Sequence, residues 1–257
     1  MDLQLKGRKA IVTGASRGIG LRIAQTFAAE GADVGICSRT AADVEKAAAG
    51  LRAQGVKAFG DAVDVADADA YKAWLESAVE RLGGLNIFVH NVTAAPGTPG
   101  IPGWDLAYHL DILGAVHGVD TVTKHLLKSP AAAIVFIASI SGVMSKVIPA
   151  PGAYAYGAAK AALISYGAMI SKDLAKQGIR VNSVSPGPIY FEGGPWARIK
   201  ERAPQVMDAA NEFCVIGRLG DPQDIANAVA FLASPVSGFT VGQNLHVDGG
   251  YMQHIAF

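Results

Sequence analysis

The chain has 257 residues, 22 basic and 22 acidic side chains, and a hydrophobic share of 51%. That length suits one α/β domain spanning residues 1–257 with a sizeable core, and the zero net charge excludes the broad positive field that holds nucleic acid or an acidic membrane surface. The only two cysteines, Cys37 and Cys214, stand far apart in neither metal-type nor redox-pair spacing, which points to a reducing, cytoplasmic setting.

The opening Met1-Asp2-Leu3-Gln4-Leu5-Lys6 lacks the basic-then-apolar pattern of a signal peptide, so no leader is expected. The longest uncharged stretch, 129–145, is broken by Pro130, Ser139, Ser141 and Gly142 and reads as a buried strand with its loop, not a membrane span. Short apolar runs at 10–12, 34–37, 85–89, 134–137, 179–181 and 245–247 alternate with helical stretches. This rhythm predicts βαβ units, a doubly wound Rossmann-type parallel sheet with helices on both faces and a crevice at the strands' carboxyl ends. Two segments interrupt it. Residues 95–103 are dense in Pro and Gly and read as a loop, and about 188–215 reads as an insertion rich in Gly, Pro and aromatics; both follow strands and rim the crevice.

After the first strand comes Thr13-Gly14-Ala15-Ser16-Arg17-Gly18-Ile19-Gly20. Gly14 permits a tight turn, Gly18 lets backbone approach a pyrophosphate, and Gly20 allows close helix-on-strand packing, while the helix N-terminus offers N–H groups to the anion. The first helix repeats Ile19, Ile23 and Phe27 on one face and stops at Gly31. Ser38-Arg39 ends the second strand where an NAD enzyme usually places a carboxylate. A hydroxyl followed by a guanidinium, with Arg17 near, suits a 2′-phosphate instead, so NADP(H) is favoured over NAD(H). The alternative is that both arginines are plain surface charges.

Tyr156 and Lys160 are four apart and share a helix face. A phenol is a poor base at neutral pH, and a fixed cation beside it favours the phenolate. Ser139, just past the run at 134–137, can hydrogen-bond a substrate oxygen at the crevice; Ser141 is its understudy, and a serine satisfying local backbone is the other reading.

Together with Asp64-Val65, Asn91, Ser185-Pro186-Gly187 and the closing Val247-Asp248-Gly249-Gly250, these motifs resemble the short-chain dehydrogenase/reductase family over nearly the whole chain. The resemblance implies that Tyr156 is the general acid/base, that Ser139 positions the carbonyl, and that Lys160 also holds the nicotinamide ribose. It implies Asp64 and Val65 beside the adenine, Asn91 beside the cofactor at the end of the fourth strand, and Pro186, Gly187 and Ile189 flanking the nicotinamide. It also implies a dimer or tetramer, with the apolar ending Ile255-Ala256-Phe257 buried between subunits.

Four departures stand out. Asp111 occupies the place of the family's Asn, which holds a relay water; an ionised carboxylate there would also pull on Lys160. Asn-Asn-Ala-Gly becomes His90-Asn91-Val92-Thr93, which narrows the pocket. The segment between Ser139 and Tyr156 is long and carries Pro149, Pro151 and Tyr154, so Tyr154 either lines the pocket or simply packs. Phe191 replaces a Thr that contacts the nicotinamide carboxamide, and with Tyr190, Trp196 and Phe213 it favours an apolar or cyclic ketone or alcohol, unless these rings are core. His109, His117 and His125 are spaced too widely for one ion, so no metal is expected. Two alternatives remain: a 3-oxoacyl-thioester reductase that docks a carrier through Lys124, Lys128 and Lys172, and a non-catalytic NADP(H)-binding sensor.

Overall fold

The computed structural model describes residues 1–145 and 150–252; Pro149 and the ending Ile255-Ala256-Phe257 lie outside the described residues. Seven strands, β1 (Lys9–Thr13), β2 (Asp33–Ser38), β3 (Ala58–Ala62), β4 (Ile87–His90), β5 (Ala132–Ile137), β6 (Ile179–Pro186) and β7 (Asn244–Val247), form one sheet in the order β3-β2-β1-β4-β5-β6-β7. Every neighbouring pair is parallel. The order reverses between β1 and β4, which opens a crevice at their carboxyl ends.

Helices α1 (Gly18–Ala29), α2 (Ala41–Arg52) and α9 (Pro222–Ala233) cover one face; α3 (Ala68–Leu82), α5 (Gly114–Leu126) and α6 (Ala153–Lys176) cover the other. Strand β5 shows why its run is continuous: Val135 and Ile137 enter the first core while Ile134 and Phe136 enter the second. A strand covered on both faces has no polar side to alternate with.

Three features depart from expectation. Strand β3, Ala58-Phe59-Gly60-Asp61-Ala62, carries no apolar run because it is an edge strand paired only with β2. Its Asp61 accepts hydrogen bonds from Trp74 Nε1 at 2.9 Å and Arg81 at 2.7 Å. Second, the loop expected to reach residue 103 is shorter. Helix α4 (Gly100–Ala107) starts within it, and Pro102 is tolerated because first-turn N–H groups lack intrahelical partners. Third, the insertion contains two helices, α7 (Pro195–Arg202) and α8 (Pro204–Phe213), each opened by a proline. They share a small core of their own, in which Ala210, Cys214 and Leu219 meet Tyr190, Trp196, Met207 and Tyr251.

A Cβ on Gly118, in α5, would stand 2.6 Å from Phe88 Cζ and 2.9 Å from the Tyr71 hydroxyl. Helix propensity favours alanine there by about 1 kcal/mol, but overpacking a filled core costs about 1–3 kcal/mol. Steric cost therefore wins, and Gly118→Ala should lower the urea-unfolding free energy by up to about 2 kcal/mol. A variant as stable as the wild type would show that Phe88 can give way.

Candidate active site at the sheet switch point

The Gly-rich loop runs from β1 into α1 across the switch point. Gly14 and Gly18 both adopt positive φ, 64° and 57°, a conformation that strains any residue with a Cβ. A Cβ on Gly20 would meet the Gly14 carbonyl at 2.6 Å, so helix and loop close on each other only with glycine there. Asn91 holds this turn from the neighbouring strand: its Nδ2 donates to the carbonyls of Thr13 and Gly14, both at 3.0 Å, and its backbone N–H donates to Thr13 Oγ1 at 3.0 Å. Arg17, the N-cap of α1, gives no side-chain cap, and the first turn has no acid. The leading N–H groups therefore have no side-chain cap of their own, the arrangement that suits an anion. Arg17 and Arg39 are exposed, and neither has an ion pair among the described residues. Among the described residues, Ser38 Oγ bonds the nearby Thr40 carbonyl alone, at 3.4 Å. Uncapped helix, glycine loop and two exposed guanidinium groups together fit a dinucleotide.

The second half of the site is built around Lys160. Its ammonium is buried, 1% exposed, and donates to the Ile137 carbonyl at the end of β5 at 2.7 Å. It also pairs with Asp111 Oδ1 at 2.8 Å, and lies 5.8 Å from the centre of the Tyr156 ring. Asp111 is fully buried, and its other oxygen accepts from the Ala94 backbone N–H at 2.9 Å. It sits in a π-helical stretch, Tyr108–Leu113, between α4 and α5. Such one-residue widenings re-aim a side chain and recur at functional sites.

Ser139, two residues past Ile137, caps the short 3-10 turn Ile140–Gly142, and its Oγ accepts from the Ser141 N–H at 3.1 Å. That turn packs on α6 at Lys160: a Cβ on Gly142 would meet the Lys160 carbonyl carbon at 2.7 Å. Ser139, Tyr156, Lys160 and Asp111 are thus brought together by β5, α6 and the π turn.

The other expected site residues sit around this centre. Asp64 is exposed and caps its own turn through the Ala66 N–H at 3.0 Å, whereas Val65 turns its side chain into the core against Gly114. Pro186 ends β6; Gly187 donates to the Val247 carbonyl at 3.0 Å, and Ile189 is buried against Gly220. Ile189 also borders a separate cavity of about 190 Å³, with Pro188, Ile216, Asp224 and Asp248, which contains none of the central four residues. Of the four aromatics in the insertion, Tyr190 and Trp196 are packed in its small core and Phe213 lies against Tyr251. Phe191 reaches back to Gly18. Tyr154 is 79% exposed.

Residues 14–252 match the family model described as enoyl-(acyl carrier protein) reductase. The chain belongs to the short-chain dehydrogenase/reductase family. It is 36% identical to isoepoxydon dehydrogenase of Penicillium expansum, over 96% of this chain and 95% of that one. Its fold is similar to L-sorbose reductase from Gluconobacter frateurii, complexed with NADPH and L-sorbose, with a TM-score of 0.90, 30% identity and coverage of 99% and 100%. A 7α-hydroxysteroid dehydrogenase complexed with NADH and 7-oxoglycochenodeoxycholic acid matches with a TM-score of 0.89, 30% identity and coverage of 99% and 98%. This short-chain oxidoreductase therefore has neighbours that carry either nicotinamide cofactor.

Only the structure gives a place to His90. It is fully buried at the end of β4, edge-on to Phe136, with Nε2 3.2 Å from the Leu110 carbonyl. A carbonyl only accepts, so Nε2 carries the proton and Nδ1 is left as a buried acceptor with no partner among the described residues. Burial, and next the Lys160 charge, push its pKa down from 6.5 to about 4, against the opposing pull of Asp111 and the Leu110 bond.

Between those two values the unfolded chain binds a proton that the native one excludes, so stability is lost as pH falls from 6.5 towards about 4. The loss should reach about 3 kcal/mol. Urea titrations across this window should show that slope, and His90→Asn should flatten it. An unchanged slope in the variant would place the pH dependence elsewhere.

Proposed function

We propose that this enzyme interconverts a ketone and a secondary alcohol with NADP(H), using Tyr156 as the proton donor or acceptor. The carrying observation is the buried Lys160 ammonium, held by Ile137 and Asp111 beneath the Tyr156 ring with Ser139 on the adjoining turn. When bound, the nicotinamide supplies or takes the hydride, and the protein provides orientation and the proton. Gly14, Ser16, Arg17, Gly18, Ile19 and Gly20 would hold the dinucleotide's phosphates. Ser38 and Arg39 would hold the 2′-phosphate, Asp64 and the Val65 backbone the adenine side, and Pro186, Gly187 and Ile189 the nicotinamide end.

In reduction, Ser139 Oγ donates a hydrogen bond to the substrate carbonyl and Tyr156 transfers its phenolic proton to the same oxygen. The fixed Lys160 charge stabilises the negative charge that develops on the phenol oxygen. Asp111 keeps that ammonium in place and accepts from the neighbouring Ala94 N–H. Oxidation runs the same transfers in reverse.

An apolar or cyclic substrate is supported by the rim. Val215 and Ile216 are 74% and 59% exposed and lie over Gly250 and Gly249, just past the carboxyl end of β7, and Tyr154 is exposed at the start of α6. The Penicillium expansum relative, an isoepoxydon dehydrogenase, agrees with this class of reaction. The matched family model keeps a carrier-bound thioester as the second reading. Lys124, Lys128 and Lys172 do not favour it, because they stand near the ends of α5 and α6, where those helices return to the amino ends of β5 and β6. We further propose that the chain acts as one catalytic unit in a cytoplasmic homodimer or homotetramer, with 188–215 as its substrate-side insertion.

Tyr156→Phe should lower kcat/KM on a ketone panel about a thousandfold while the NADPH dissociation constant changes less than about threefold. Near-wild-type turnover would overturn the reading, and a biological activity untouched by the substitution would favour a sensor. A hydrogen bond to a charged group is worth about 1.5–3 kcal/mol. Arg39→Ala should therefore weaken NADPH binding about tenfold to a hundredfold by fluorescence titration, with NADH nearly unaffected. Equal effects on both would remove the case for NADP(H).

A further inference from the structure

Phe191 makes a contact that no role above uses. Its segment leaves the sheet on a rigid stem: Ile189 pairs with Gly220 as an isolated parallel bridge, Gly220 donates to the Pro188 carbonyl at 3.0 Å, and Tyr190 donates to the Gly220 carbonyl at 2.8 Å. The chain then turns at Gly193, with φ at 70°, and Gly194 donates back to the Phe191 carbonyl at 3.0 Å. These bonds fix the backbone from which the ring projects.

The ring's outer edge is wedged between two glycines from opposite sides of the crevice. A Cβ on Gly18 would stand 2.7 Å from Cζ and 2.8 Å from Cε2 of Phe191, and a Cβ on Gly194 would stand 2.9 Å from Cζ. Gly18 is the first residue of α1, whose leading N–H groups have no side-chain cap. The ring also packs against the first core, as Ile19 does. An apolar edge therefore rests on the patch of backbone that an anion must approach to use the helix N-terminus.

We propose that Phe191 controls admission of the dinucleotide: its ring must leave Gly18 before the phosphates can reach the start of α1. The inference rests on the dinucleotide-binding role proposed above. Closure in the ligand-free protein lowers the fraction competent to bind, and apparent association falls in proportion to that fraction. Aromatic breadth matters more than apolarity here, because the contacting atoms are Cζ and the two Cε atoms, all of which leucine lacks.

Stopped-flow mixing of the full chain with NADPH, followed by nucleotide fluorescence, tests this directly. F191L keeps apolar packing but removes the contacting edge, and it should raise the association rate about tenfold; F191A should do the same. F191Y keeps the ring and should bind no faster than wild type. Hydrogen exchange at residues 18–20, measured without nucleotide, should be faster in F191L than in F191Y. Association in F191L and F191A that is unchanged or slower, with wild type binding NADPH normally, overturns this inference alone. Wild-type protein that binds neither NADPH nor NADH overturns it together with the functional reading.

Discussion

The arrangement of the site depends on how one ammonium group survives burial. Taking Lys160 out of water costs several kcal/mol, and the structure offsets it with the Asp111 carboxylate at 2.8 Å and the Ile137 carbonyl at 2.7 Å. Those two partners belong to different elements. Satisfying the charge therefore draws the π turn, the end of β5 and the middle of α6 to one point, and Ser139 and Tyr156 come with them. The pair has no net charge, yet it holds a positive end at a fixed place, 5.8 Å from the centre of the Tyr156 ring.

A second consequence concerns the neighbours of that pair. His90 lies within the field of both charges and is kept neutral by burial and by the ammonium. Its unpartnered Nδ1 and the Asp111 carboxylate make this pocket more polar than a hydrophobic core tolerates without reason. Across the crevice Asn91 does a different job. Just past the end of β4, it ties the Gly-rich loop to that strand with two side-chain hydrogen bonds, to the carbonyls of Thr13 and Gly14.

The insertion divides the work of its aromatics. Tyr190 and Trp196 stabilise α7 and α8 in a small core, while Phe191 closes against the loop and the exposed Val215 and Ile216 form the apolar rim.

Much of this was legible before any coordinates. Buried parallel strands announce themselves as apolar runs, and the glycine spacing, the Tyr156 and Lys160 pair and Ser139 after a strand all depend on local chain geometry. What local pattern could not supply was contact between distant segments. Strand β3 was hidden because an edge strand with Asp61 and Gly60 has no apolar run, and the π turn leaves no signature in composition. The pull of Asp111 on Lys160 was expected from the family resemblance, but its direct contact at 2.8 Å, the burial of His90 and the seat of Phe191 on Gly18 each join residues dozens of positions apart. Only the folded chain decides them, because the energy of a charge or a ring depends on what surrounds it and not on what precedes it.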